Sequence, residues 1–375
     1  MLLTRDALTL AQKIKMSIKQ RQNIAIIGSQ SEKTAAALHA AGVVLSDHTS
    51  TAGAVIIAES GVSAARTLAM QGIGRGQSIF SENPLLWGVC GDMLTRAASA
   101  QKLWLGMEGA LLGSVPLAPF ISTSQSAGFA AGFGGAAVKY LSRITNFREN
   151  PIAAEAQLKL LRTDMMDFTG KYTEARARII SALAFGSWSL PSTRQSTEGV
   201  ISEDTSFLTR QGYTLTYGSL ITPEGTHTGP LAMAQDMPTA TLGGAWVADE
   251  KMETCLTTNA SEETRATRGL LADIALWKQR AQWSLSARPF MSASPTRILS
   301  SDAPTPTPQT YLRASASCRT QFAANHVILT EFFNGEGSWQ ALVQGALSTE
   351  EQAQVLLSIG VCAKTSETQK LYAHA

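Results

Sequence analysis

Asn23-Ile-Ala-Ile-Ile-Gly28-Ser-Gln-Ser-Glu32-Lys33-Thr34 is a short apolar run that stops at a glycine and passes into a polar segment. The run has the length of a strand, Glu32 to Ala41 reads as a helix, and Ala54-Val-Ile-Ile-Ala58 is a second apolar run. The pattern is compatible with a βαβ unit. A glycine at the end of such a strand invites comparison with a phosphate loop, whose glycines let backbone amides approach an anion. Here the spacing is one residue short of G-x-x-x-x-G-K-T, and Glu32 stands in the place of the second glycine. As a dinucleotide fingerprint it also departs, because Gln30 and Lys33 stand where G-x-G-x-x-G has glycines. The segment therefore reads as a plain strand-to-helix turn.

Outward from this stretch, helical signals dominate. Asn150 is an N-cap with Pro151 at the first helical position, and Ile152, Leu158, Leu161, Met165 and Phe168 follow at helical spacing up to Gly170. A second helix runs from Lys171 to Phe185. Leu270, Leu271, Ile274 and Trp277 make an apolar stripe within 262–285, residues 312–333 read as a helix, and Ser348-Thr-Glu-Glu351 is a capping box opening a helix that closes at Gly360. Between these blocks, 186–244 is rich in glycine and proline and reads as a long loop region, with Gly212-Tyr-Thr-Leu-Thr-Tyr217 as a hairpin strand at most. Five prolines within 289–308 favour an extended connector. The expected fold is mainly α with minor β: two helical lobes, a loop-rich middle and terminal arms. The boundaries drawn are an arm 1–22, a lobe 23–197, a connecting region 198–262, a lobe 263–347 containing the linker, and an arm 348–375.

The chain has 375 residues, 44% apolar and 16% charged, with a net charge of +2. That is enough apolar material for about two domains and excludes general disorder. The charged share is well below the ~25% of ordinary soluble domains, which suits a chain that buries surface against other copies. Four cysteines, Cys90, Cys255, Cys318 and Cys362, stand far apart, so neither a disulfide framework nor a zinc cluster is indicated. Arg5 and Asp6 fall where a signal peptide needs apolar residues; 8–21 has the basic, amphipathic look of a transit peptide and is read as an arm. The uncharged stretch 109–138 is broken by Pro116 and Pro119 and reads as core, not as a membrane span.

Charge is unevenly spread: 198–263 carries a net −8 and 264–320 a net +6, with seven of the eight bases there arginines. Arginine forks suit phosphate oxygens. A polyanion surface is expected on Arg265, Arg268, Lys278 and Arg280, with a second bank on Lys139, Arg143, Lys159, Arg162, Arg176 and Arg178. Trp277 and Trp283 beside Lys278 and Arg280 suit base stacking, although Trp277 also belongs to its helix's core stripe. No HExxH, GxSxG or SxxK pattern occurs, the five histidines stand apart, and Asp47-His48 reads as a solvated turn. No catalytic residue, metal or cofactor is called for, and the chain is read as not an enzyme.

The helical blocks, their basic stretches and Tyr311-Leu-Arg313-Ala-Ser315 after the linker give a layout that resembles the nucleoproteins of non-segmented negative-strand RNA viruses, most nearly the bornavirus and mymonavirus kind. That resemblance implies two helical lobes clamping single-stranded RNA in a basic cleft, with terminal arms packing on neighbouring subunits. It further implies a homo-oligomeric nucleocapsid in the virion and in the host cytoplasm or nucleus, with a viral polymerase cofactor as a further partner. The Asn23–Ala58 pattern is not expected of that fold. Two other readings stand beside it: a virion coat or capsid subunit without an RNA cleft, and an α/β enzyme built on 23–58.

Overall fold

The computed structural model describes residues 23–111, 128–132, 169–195, 199–223, 225–235, 243–248, 253–258, 262–283, 309–334, 337–345 and 347–362. These form two compact units, each assembled from separate stretches of chain.

The first unit is built on a parallel sheet in the order β1 (Ile24–Ile27), β2 (Ala54–Ile57), β3 (Ser78–Phe80), β4 (Leu105–Gly106). Ile24 pairs with Ala54, Val55 with Ile79 and Phe80 with Gly106. Parallel strands need long crossovers and are covered on both faces, which is why they read as unbroken apolar runs. The crossovers are α1 (Ser31–Ala40), α2 (Val62–Gly74) and α3 (Pro84–Ala100). The Asn83 side chain caps α3 by accepting from the N–H groups of Leu85 and Leu86, with Pro84 in the first turn. After α1 the chain passes along the free side of β1, where Ser46 N–H donates to Ile24 O at 2.8 Å. It then crosses to the other side of β1 to form β2. The four strands therefore follow one another across the sheet in chain order, with β1 at its edge.

After β4 comes the one-turn α4 (Glu108–Leu111), and α7 (Glu262–Trp283) returns from far along the chain to close this core. Leu270, Ile274 and Trp277 pack on Ile24, Leu38, Ile56, Phe80 and Trp104, and Trp277 Nε1 donates to Ser78 Oγ at 3.2 Å. A Cβ on Gly269 would lie 2.3 Å from Glu108 O, so this glycine lets α7 touch the backbone of α4. Asp273 is buried beside it and accepts Glu108 N–H at 3.0 Å.

The second unit is a ten-stranded mixed sheet. Its path runs β10 (Glu253–Thr258), β9 (Gly243–Ala248), β5 (Gly128–Gly132), β7 (Tyr213–Thr222), β8 (Gly225–Ala234), β14 (Leu357–Cys362), β11 (Gln309–Ser315), β13 (Ser338–Gln344), β12 (Val327–Asn334), with β6 (Ser192–Arg194) also on β8. Side chains alternate across β11: Tyr311 enters a cluster with Phe207, Leu208, Leu215 and Leu342, while Leu312 enters another with Phe322, Trp339 and Val343. The sheet is thus covered on both faces, by α6 (Ser202–Arg210) on the first and α8 (Arg319–Asn325) on the second. Helix α5 (Lys171–Phe185) and the single turn α9 (Thr349–Gln352) complete the described helices.

The expectation of a mainly α chain is overturned: the protein is α/β, and the loop-rich middle is sheet. Residues 213–234 form the hairpin β7–β8 despite Gly218, Gly229 and Pro230. Pro230 is tolerated because it lies between the part of β8 that pairs with β6 and the part that pairs with β14. Residues 312–333 are strand, a short 3₁₀ turn, α8 and strand, because Tyr311, Leu312 and Ala314 are buried on alternate faces rather than along one helical stripe. The box at Ser348 is present: Ser348 N–H donates to Glu351 Oε2 and Glu351 N–H to Ser348 Oγ. It caps one turn only, after which the chain becomes β14 inside the sheet, not a terminal arm. Helices at 171–185 and 262–283 are present. The arm 1–22, the helix before Gly170 and the proline-rich 289–308 lie outside the described residues.

The same box makes one corner of the protein acid-sensitive. Glu351 is held down to about 2 from 4.5, first by the Ser348 N–H and also by the His326 ring, whose Nε2 lies 2.9 Å away. A carboxyl depressed in the folded state adds stability above its unfolded value and loses it as pH falls through the folded value. The wild type is therefore expected to lose melting temperature between pH 4.5 and 2. Glu351→Gln should flatten that part of a melting curve series, and an identical pH profile for both would dismiss the contribution.

Candidate functional site

The carboxyl ends of β1, β2 and β3 carry a polar rim. In open α/β sheets ligands settle outside the carboxyl ends of the strands.

β1 ends at Gly28, whose φ of +124° is open to glycine alone. A Cβ there would lie 2.3 Å from Ala58 O. The turns after β1 and β2 are therefore in backbone contact, stitched by Gln30 N–H donating to Ala58 O at 2.9 Å and Ala58 N–H to Ile27 O at 2.8 Å. Neither α1 nor α2 has a side-chain cap at its N-terminus, where Gln30 and Gly61 stand. In place of caps, Glu59 reaches across both turns. Its Oε2 accepts Ser29 N–H at 3.0 Å and its Oε1 accepts Gly61 N–H at 3.0 Å. These N–H groups, Gly61's first, hold the Glu59 carboxyl below its ordinary value.

β3 supplies the rest of the rim. Asn83 Nδ2 donates to Glu59 O at 2.7 Å and to Ser60 O at 3.1 Å, while Ser81 Oγ donates to Ile57 O at 2.8 Å. Glu82 accepts from Thr34 Oγ1 at 2.9 Å, and burial pushes its carboxyl above the ordinary value. Lys33, on the exposed side, pairs with Glu263 at 3.4 Å. Chemically the rim offers two things: turn amides already gathered on one anion, and a carboxyl that keeps its proton more readily than usual. Among the described residues no three His, Cys, Asp or Glu side chains gather as a metal ion would need.

The basic residues singled out in the sequence are elsewhere. Arg265 and Arg176 are buried, at 3% and 5% exposure, and Arg178 is half-buried; Arg268 and Lys278 are exposed on α7. Arg265 and Arg268 lie three apart on α7, while Arg176 sits in the second unit. The Arg280 and Trp283 side chains, and Lys139, Arg143, Lys159 and Arg162, lie outside what is described. Trp277 is core, edge-on to Phe80 at 5.9 Å. Glu59, Glu82 and Asn83 were not singled out. The signal for them was a repeat of the opening pattern: apolar run, Glu-Ser-Gly, then helix, at 54–65, which marks a second strand-to-helix turn beside the first.

No family model matches the sequence, and no curated protein matches it. Solved structures do match. The homoserine dehydrogenase of Thiobacillus denitrificans superposes with a TM-score of 0.69 over 95% of this chain and 94% of its own, at 16% identity. The S. aureus homoserine dehydrogenase gives 0.65 over 96% of each chain at 14% identity. A hyperthermophilic archaeal homoserine dehydrogenase in complex with NADPH gives 0.52 over 63% of this chain and 73% of its own, at 12% identity. At these identities the likeness is one of fold.

That fold overturns the nucleoprotein resemblance and what depended on it: a non-enzymatic RNA-encapsidating assembly, single-stranded RNA and a viral polymerase cofactor as partners, and a place in the virion or an infected host cell. The solved structures that share this architecture are dehydrogenases. Of the readings the sequence allowed, the α/β one built on 23–58 is the one the fold agrees with.

Proposed function

We propose that this chain is a nicotinamide-dependent oxidoreductase of the homoserine dehydrogenase kind, interconverting an alcohol and an aldehyde on a small polar substrate. The observation that carries the reading is the gathering of the Ser29 and Gly61 amides on one anion at the carboxyl ends of β1 and β2. Likeness to a homoserine dehydrogenase that binds NADPH supports it.

The residues fit such a cofactor in one respect and depart in another. Gly28 lets the turns after β1 and β2 close on each other, which brings the Ser29 and Gly61 amides together, and the Glu59 carboxylate stands where phosphoryl oxygens would accept the same amides. Gln30 stands where a dinucleotide fingerprint has its second glycine, so a diphosphate would meet a side chain there. A bound nicotinamide supplies the hydride acceptor or donor. The chain's own part is to hold the diphosphate on the Ser29 and Gly61 amides and the two helix N-termini. Glu82, whose carboxyl burial raises and which accepts from Thr34 Oγ1, is the proton-transfer group of this reading.

The direct check is oxidation of homoserine with NAD or NADP, followed by absorbance of the reduced nicotinamide. Turnover is expected in the wild type. Glu82→Gln should lower kcat by about 10² with little change in KM, the usual loss when one proton-transfer group is removed. Wild-type protein that is folded, binds neither dinucleotide and turns over neither would end the reading. An unchanged kcat in the variant would remove Glu82 from it.

A further inference from the structure

The Glu59 carboxylate does not behave as an ordinary loop brace. The loop it sits on is already fixed without it: Asn83 Nδ2 holds the Glu59 and Ser60 carbonyls, and Gln30 N–H holds Ala58 O. Among the described residues no cation pairs with it. It reaches instead across to a turn thirty positions away in sequence and places one oxygen on each of two amides. This is the arrangement a phosphoryl group takes at strand-to-helix turns, made here by a side chain.

We infer that Glu59 is a built-in competitor for the diphosphate of the dinucleotide, and so the residue that sets nucleotide affinity at this site. The inference rests on the nicotinamide-dependent reading above. A diphosphate and the Glu59 carboxylate need the same Ser29 and Gly61 amides, so one must leave for the other to bind. Having left, Glu59 still stands on the same loop as a like charge, which opposes the bound anion. The side chain is at the surface and tethered by two hydrogen bonds, so it can swing out without disturbing the buried strands behind it. Nucleotide binding then draws on affinity that a chain lacking this carboxylate would express in full. Nucleosides without phosphates do not compete with it.

The test is calorimetric titration of the full chain and its Glu59→Gln and Glu59→Ala variants with NADPH, inorganic pyrophosphate and adenosine. Glu59→Ala is expected to bind NADPH and pyrophosphate at least tenfold more tightly than the wild type. Glu59→Gln, which loses the charge and keeps one acceptor, should fall between them. Adenosine affinity should be the same for all three, a readout that general loosening of the loop would not leave unchanged. Wild type and Glu59→Ala binding NADPH equally, or the variant binding more weakly, would overturn the competitor while leaving the nucleotide reading standing. If none of the three folded proteins binds NADPH or pyrophosphate, both fall together.

Discussion

Asp204→Ala is expected to cost the second unit about 3–5 kcal/mol, the scale on which a buried charge loses its partner. Asp204 has no exposed surface, and four groups converge on it. Tyr311 OH donates at 2.6 Å, Ile201 N–H at 2.8 Å and Gln340 Nε2 at 3.5 Å, and Arg313 Nε lies 2.9 Å away as an ion pair. Burial raises the Asp204 carboxyl, against the pull of Tyr311, the Ile201 amide and Arg313, and it drives the Tyr311 phenol up as well. Truncation leaves a phenol and a guanidinium facing an empty apolar space between α6 and β11. Asp204→Asn, which keeps an acceptor, should cost less. Denaturant unfolding that reports on the ten-stranded sheet gives the numbers, and a loss under about 1 kcal/mol for alanine would mean the network is solvated.

Gly28→Ala should be of similar size, at roughly 3–5 kcal/mol, from strained φ added to backbone overlap. The added Cβ would meet Ala58 O at 2.3 Å and Ala58 C at 2.6 Å, neither of which can step aside without separating β1 from β2. Gly186 provides the control. Its φ is +71° and a Cβ added there would meet nothing within 4 Å, so Gly186→Ala should cost only the left-handed conformation, about 1 kcal/mol. Equal losses for the two would show that φ alone, and not the contact of the two turns, constrains Gly28. On the proposed nicotinamide-dependent reading, nucleotide binding should also fall with Gly28→Ala, since the Ser29 amide is carried by the displaced turn.

The sequence displayed the first turn of the site but not the second. Asn23–Ala58 is legible because parallel strands are short apolar blocks and α1 separates them cleanly; the same block pattern continues through Ile56, Ile79 and Leu105. It is obscured beyond β2 because α2 and α3 are themselves apolar on their sheet-facing sides, so 62–100 offers no sharp change of period. The second unit was harder for a different reason. β11 and β13 are buried on both faces, which removes the polar alternation that marks a strand, and Ser348–Glu351 gives a correct local cap whose extent tertiary pairing then cuts to one turn. Charge counting failed at Arg176 and Arg265 because net charge along the chain says nothing of burial. Glu59 escaped attention because its role depends on Ser29, a neighbour only in space.

The position of β14 has a consequence for how the protein is made. It is the last described strand in chain order, yet it lies in the interior of the sheet, parallel to β8 and antiparallel to β11. Until residues 357–362 emerge from the ribosome, the Leu231–Met233 part of β8 and the facing edge of β11 lack their partner, and the two sections of the sheet have no common ladder to join them. A nascent chain therefore carries an open edge on β8 once Ala234 is made and a second on β11 once Ser315 is made, until β14 follows, a state in which strands pair with the wrong partner. Chains truncated before Leu357 are therefore expected to be less soluble than the full chain.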